Sequence, residues 1–193
     1  MKRTQMNIQS SITETHETWT RGNLVPFWSK QSITALNYTY SPSEDNMNIK
    51  WKRQGYMPDT KHLSGDLCDF KQKQPAYNET LIKWFEDTFS VTDTGTAYFQ
   101  MKTDTILPVH SDHFSAYRKL FGCNIKDCVR VILFPFKWES GHYFEIDGNP
   151  IVNWDAGDFI CWSGSTPHLA ANMGLKTRYS IQLTGHGKKT NNR

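Results

Sequence analysis

Asp147-Gly148 stands between two short apolar stretches, Gly141–Ile146 and Ile151–Trp154, and this hairpin signal constrains the fold more than any other feature. An Asp-Gly pair readily takes up the two left-handed conformations that a tight hairpin turn needs. The pattern continues on both sides. Ala97–Thr103, Leu107–Asp112 and Val129–Lys137 read as strands upstream. Downstream, Asp155-Ala156-Gly157-Asp158 turns into Phe159–Trp162, and Arg178–Thr184 reads as the last strand. Many short strands separated by turn residues predict a sandwich or barrel. An aromatic content of 13% agrees, because Phe, Tyr and Trp favour pleated surfaces and bury large areas. At 193 residues the chain is one domain with room for a real core.

Two segments carry helical period instead. Leu81, Trp84, Phe85 and Phe89 recur at three- and four-residue steps behind a cap at Asn78, which predicts a helix over 78–89. Phe114, Tyr117, Arg118 and Phe121 have similar spacing inside 113–128, a segment that interrupts two strands. Residues 1–20 are polar and read as a loose arm or edge. The apolar patches between Leu24 and Tyr40 read as strands, followed by a turn over 41–46. Residues 55–76 read as loop. The expected layout is a single domain: an elaboration over 1–95, a core over 96–186 and a frayed polar tail over 187–193, with fraying expected from Gly185 onward.

The charge balance, 22 basic against 19 acidic residues, gives no argument for nucleic acid. The run Lys50-Trp51-Lys52-Arg53 alternates charge with an aromatic, and a solvated strand or loop edge accounts for it. Cys68, Cys123, Cys128 and Cys161 form no zinc-ribbon or redox spacing. No apolar signal core opens the chain, and no run is long enough to span a membrane. A reducing cytoplasm with free thiols is the expected setting.

The chemistry lies in the order of three groups. His110 and Asp112 are two residues apart on an extended chain, so their side chains share a face. His168 follows the strand Phe159–Trp162 and, in an antiparallel barrel, can reach the same mouth. Two imidazoles and a carboxylate can hold one face of an octahedral iron(II) ion and leave three positions open. Arg178, ten residues past His168, shares a strand face with Ser180. Guanidinium and hydroxyl together can hold the free carboxylate of an oxo-acid. Of the other histidines, His113 faces away from Asp112, His142 is a pocket-lining candidate, and His16, His62 and His186 have no partner at ligand spacing.

The set Pro108-x-His110-x-Asp112, Trp154…Gly157-Asp158, His168 and Arg178-x-Ser180 resembles the iron(II)- and 2-oxoglutarate-dependent dioxygenases over roughly residues 97–186. The stretch His168-Leu169-Ala170-Ala171-Asn172-Met173-Gly174 is similar to the aspartyl/asparaginyl β-hydroxylase-like branch, although Asp112 supplies a carboxylate that well-known animal members of that branch lack. The resemblance implies a double-stranded β-helix (jelly-roll, cupin-like), mainly β with a few flanking helices. It implies His110, Asp112 and His168 as ligands of Fe(II), Arg178 and Ser180 on 2-oxoglutarate, and Arg130 as a further contact to that cosubstrate. Dioxygen would be consumed, and a C–H bond hydroxylated in an amino-acid side chain, free or in a peptide or protein, or in another small molecule. The segment 113–128 would hang at the barrel mouth, with Tyr117 and Arg118 facing substrate, or pack on the barrel's outside. The rival readings are a non-catalytic cupin-like module binding a metal or small acid, and a zinc hydrolase, for which no glutamate stands beside the ligands as a base.

Overall fold

The protein is described here by a computed structural model, which describes residues 8–41, 45–56, 63–69 and 71–187. Its architecture is mainly β, a double-stranded β-helix with a few flanking helices. The N-terminal part runs β1 (Ser10–Thr15), β2 (Trp19–Leu24), α1 (Lys30–Thr34), β3 (Thr39–Ser41), α2 (Asp45–Arg53), β4 (Gly65–Cys68) and α3 (Asn78–Phe89). The core follows with β5 (Val91–Met101), β6 (Thr105–His110), α4 (Ser115–Phe121), β7 (Cys128–Leu133), β8 (His142–Ile146), β9 (Asn149–Ile151), β10 (Asp158–Ser163), β11 (His168–Asn172) and β12 (Arg178–Gly187). An eight-stranded sheet has the order β1-β2-β10-β7-β12-β5-β4-β3, and a four-stranded sheet has the order β6-β11-β8-β9. Every strand pair is antiparallel.

The long apolar runs follow from burial on both faces of the large sheet. Along β7, Val131 and Leu133 enter a core shared with α3, while Ile132 and, just past the strand, Phe134 enter a core shared with the small sheet. Along β10, Phe159 and Cys161 alternate with Ile160 and Trp162 in the same way. The strands of the small sheet are at most six residues long. Its β8–β9 hairpin turns at Asp147 and Gly148, whose φ values of 50° and 74° are the left-handed pair expected of that dipeptide.

Helix α3 occupies the span its periodicity marks and buries Leu81, Trp84 and Phe85. Its capping differs from expectation. Tyr77 is the N-cap and makes no side-chain cap bond. Asn78 instead donates from Nδ2 to Thr96 Oγ1 (2.8 Å) and accepts from Tyr98 Oη (3.0 Å), tying the helix to β5.

The N-terminal expectations need the most correction. Residues 10–24 form a hairpin, and β2 pairs along its length with β10. Arg21 Nη2 donates to Asp158 Oδ2 at 2.6 Å and Asn23 Nδ2 to Asp158 Oδ1 at 2.8 Å, so Asp158 does more than shape its own turn. Between Leu24 and Tyr40 the chain forms α1, capped by Ser29 Oγ accepting from Ser32 N–H, and enters β3 only at Thr39. The basic run around Trp51 is helical rather than extended. Of the predicted turn over 41–46, residues 42–44 lie outside the described residues, as does His62, and 45–46 already belong to α2. The predicted loop over 55–76 contains β4. Strand β11 carries no strand signal in its sequence, because its Ala-rich residues have weak β preference. At the end of the chain, Gly185–Gly187 belong to β12 rather than to a frayed tail, and 188–193 lie outside the described residues. All four cysteines are free and buried. Among the described residues no helix is long and apolar enough to cross a membrane.

Candidate metal centre

His110 and His168 form a directly opposed pair across β6 and β11. Opposed residues of antiparallel strands bring their Cβ atoms within about 4.5–5.5 Å, and these two rings approach to 4.2 Å between centroids. The register shifts between His168 and Ala170, a bulge of the kind that re-aims a side chain. Asp112 lies two residues past the end of β6, and its Oδ2 is 3.9 Å from His168 Nε2. One ligand atom from each of the three residues lies within 4.8 Å of the others, the grouping that the sequence spacing predicts.

The imidazoles are prepared for a metal. Nδ1–H of His110 donates to the Pro108 carbonyl at 2.8 Å, and Nδ1–H of His168 to that of Thr166 at 3.0 Å. This leaves Nε2 of each ring as the lone-pair atom, the orientation that metal-bound histidines owe to such carbonyl partners. Burial pushes His110 down to about 4, with the neighbouring imidazole adding to the effect, and burial lowers His168 too. Both rings are therefore neutral near pH 7. Burial alone would raise the Asp112 carboxyl, but Arg130 and the two imidazoles outweigh it and hold it below the usual carboxylate range. Two neutral nitrogens and a carboxylate fit a divalent transition metal.

The cluster opens into a cavity of about 1050 Å³, and Arg178 lines the same cavity from β12. Phe144 stands between them, 6.3 Å from the His168 ring and 6.0 Å from Arg178 Cζ. Arg178 is only 2% exposed. Its Nη1 points at Met101 Sδ (3.4 Å), while Nε and Nη2 have no hydrogen-bond partner among the described residues. Phe134, Phe144 and Trp154 surround it within 6.0 Å. Burial pulls its pKa down to about 10, so it remains a cation at neutral pH. Ser180 lines the same wall, and Tyr179 between them packs against the opposite core, as strand alternation requires.

The other candidates separate. Arg130 is engaged elsewhere than on a cosubstrate: Nε donates to Asp112 Oδ2 at 3.1 Å and Nη1 to Gln182 Oε1 at 3.3 Å. Tyr117 lines the cavity and donates its hydroxyl to the Asp93 carbonyl at 2.9 Å. Arg118 does not line it; its Nη1 turns back to the His113 carbonyl at 3.5 Å. His142 is also a correction. Its Nε2–H donates to the Lys176 carbonyl at 2.8 Å, where Asn172 Nδ2 donates as well, and it bonds the loop before Arg178 rather than lining the cavity. His113, expected to face away, lines the cavity because the chain leaves the extended conformation after Asp112.

Two contributors went unseen in the sequence. Trp51, 1% exposed, sets its ring edge-on to His110 at 6.3 Å and directs its indole N–H at the Val109 carbonyl. An aromatic within an otherwise polar helical turn was the available signal. Gln182 was readable from its place two residues past Ser180 on the same strand face.

No protein-family model matches the sequence, and no curated protein matches it. Solved structures do share the fold. A prolyl-4-hydroxylase from Pseudomonas putida superposes with a TM-score of 0.54 at 14% identity, covering 89% of this chain and 93% of that one. SnoK, a non-haem alpha-ketoglutarate-dependent carbocyclase from nogalamycin biosynthesis, superposes with a TM-score of 0.55 at 8% identity, covering 88% of this chain and 79% of that one.

Proposed function

We propose that the protein is an iron(II)- and 2-oxoglutarate-dependent oxygenase, coupling oxidative decarboxylation of 2-oxoglutarate to hydroxylation of a C–H bond. The observation that carries this reading is Arg178. A buried cation with two donors unpartnered among the described residues is costly, and it shares a cavity with a three-ligand cluster. A dicarboxylate with a keto group would answer both features, since one end can chelate a metal while the other neutralises the guanidinium. The fold shared with two oxygenases supports the reading.

His110, Asp112 and His168 would hold the iron. When bound, iron(II) and 2-oxoglutarate together supply the electrons that activate dioxygen. The protein's own part is positioning. Arg178 takes the far carboxylate through its free Nε and Nη2, and the Ser180 hydroxyl adds a donor; a charge-assisted bond of this kind contributes about 1.5–3 kcal/mol. Phe134, Phe144 and Trp154 keep water from that end, which strengthens the pairing. The substrate class is an amino-acid side chain, free or in a peptide, or another small molecule. Kinship with the aspartyl/asparaginyl β-hydroxylase-like branch rests on the sequence stretch from His168 to Arg178 and on the Trp154…Gly157-Asp158 strand entry before it.

The test is conversion of 2-oxoglutarate to succinate by the protein with iron(II) in air, against anaerobic and iron-free controls. Oxygen- and iron-dependent succinate is the expected result. Tight binding of 2-oxoglutarate with no succinate from any substrate panel would favour a non-catalytic cupin-like binding module.

A further inference from the structure

Arg130 has a role that neither the clamp nor the ligand set explains. It is held on three sides. Nε reaches Asp112 Oδ2 at 3.1 Å, Nη1 reaches Gln182 Oε1 at 3.3 Å, and the guanidinium lies 5.1 Å from the centre of the Phe114 ring. These supports come from different elements: Gln182 from the middle of β12, Phe114 from the start of α4, and Arg130 itself from the middle of β7. Asp112, by contrast, lies past the end of its strand, and two residues on Phe114 caps α4 at a φ of 51°. A bulky residue in that conformation persists only where its surroundings enforce it.

We propose that Arg130 is a positioning residue that fixes the Asp112 carboxylate for the metal, with Gln182 and Phe114 fixing Arg130. Without it, Asp112 is a short side chain on a non-strand backbone, with no other side-chain hydrogen bond among the described residues that would orient it. The two histidines differ here, because each is oriented by a backbone carbonyl two residues before it. The site thus orients its imidazoles locally and its carboxylate through a distant strand. This inference rests on the metal-binding part of the proposed function.

Two effects of Arg130 on a metal oppose each other, and their balance gives the test its sign. A guanidinium beside the ligand repels a divalent cation, so an arginine with no positioning role would weaken binding, and removing it would raise affinity. A positioning arginine would strengthen binding, and removing the hydrogen-bond partner of a metal ligand typically costs about 10–100-fold in affinity.

Manganese(II), a redox-stable probe, is titrated into the wild type and into Arg130→Met, Arg130→Lys and Gln182→Leu, with free ion read by its magnetic-resonance signal. Metal-free melting curves establish which variants are folded. A weakening of about 10–100-fold for Arg130→Met is expected, with a smaller loss for Gln182→Leu. Arg130→Lys should restore only part of the affinity, because one ammonium cannot hold Asp112 and Gln182 in a fixed fork. Unchanged or tighter binding by folded Arg130→Met overturns the proposal. If Arg130→Met does not fold, Gln182→Leu decides by the same criterion. Failure of the wild type to bind manganese would instead remove the metal centre itself, a distinguishable result.

Discussion

The two ends of the cavity are built on opposite principles. At the metal end each group already has a partner: the histidines hold Pro108 and Thr166, and Asp112 holds Arg130. At the other end Arg178 is a cation in an aromatic cage, with two donors unsatisfied among the described residues. The first end is organised in the free protein. The second is complete only when an anion arrives. Orientation and affinity are thus supplied at separate places: geometry by hydrogen bonds made in advance, binding energy by a desolvation cost that the ligand relieves.

Losses should be greatest at the metal end. His168→Ala should lower metal affinity by more than the ~10–100-fold typical of losing an outer partner, and abolish succinate formation. His110→Ala should behave alike, each variant keeping its melting transition. Retained manganese binding by either, measured by titration, would show that the ligand set is misassigned.

At the other end, activity and stability should move in opposite directions. Arg178→Met replaces a lone buried cation with an apolar side chain of similar length. Exchanging buried charge for well-packed apolar groups is often neutral or stabilising by ~1–4 kcal/mol. A domain of this size changes its melting temperature by about 2–4 °C per kcal/mol, so the ligand-free variant should melt several degrees higher. It should also lose 2-oxoglutarate binding while keeping manganese binding. Arg178→Lys, which keeps charge but lacks the fork, should weaken 2-oxoglutarate binding about tenfold, by loss of one charge-assisted bond. Calorimetric titration that finds wild-type affinity in Arg178→Lys would remove the clamp.

The smallest effect uses pH to tell the ends apart without a ligand. The folded pKa values of His110, near 4, and of His168 lie below the unfolded value of about 6.5. The unfolded chain therefore binds more protons, and stability falls as pH drops from about 6.5 toward 4. His142 is lowered as well and adds to the slope. Arg178, lowered to about 10, is charged throughout this range and contributes nothing to it. Melting curves of the metal-free protein should show the acid decline, and His110→Gln should flatten part of it. A wild-type melting temperature constant between pH 7 and 5 would contradict neutral buried histidines.

What could be read from the sequence follows the same division between local and distant causes. The hairpin at Asp147-Gly148, helix α3 and the His110–Asp112 spacing depend on neighbours along the chain, and the residues show them directly. Arg178 and Ser180 could be placed together because strand alternation is local too. The fate of Arg130 could not be read, because its partner Gln182 is distant along the chain and is brought close only by the pairing of β7 with β12. Trp51 was obscured by its charged neighbours, since burial of one residue on a short helix depends on what lies beneath it. Strands β1 and β2 escaped notice because β1 is exposed throughout and β2 is only partly buried, so neither carries a strong apolar alternation.

The pairing of β2 with β10 sets an order of events for the nascent chain. Trp19 is matched with Trp162, and Arg21 and Asn23 converge on Asp158, so β2 leaves the ribosome well before the strand it pairs with. Until then β2 has only its exposed hairpin mate β1, too small a unit to be stable in water. Folding dominated by such far-separated contacts is slow. Before β10 emerges, one edge of β2 has no strand to pair with, the kind of surface that invites wrong pairing.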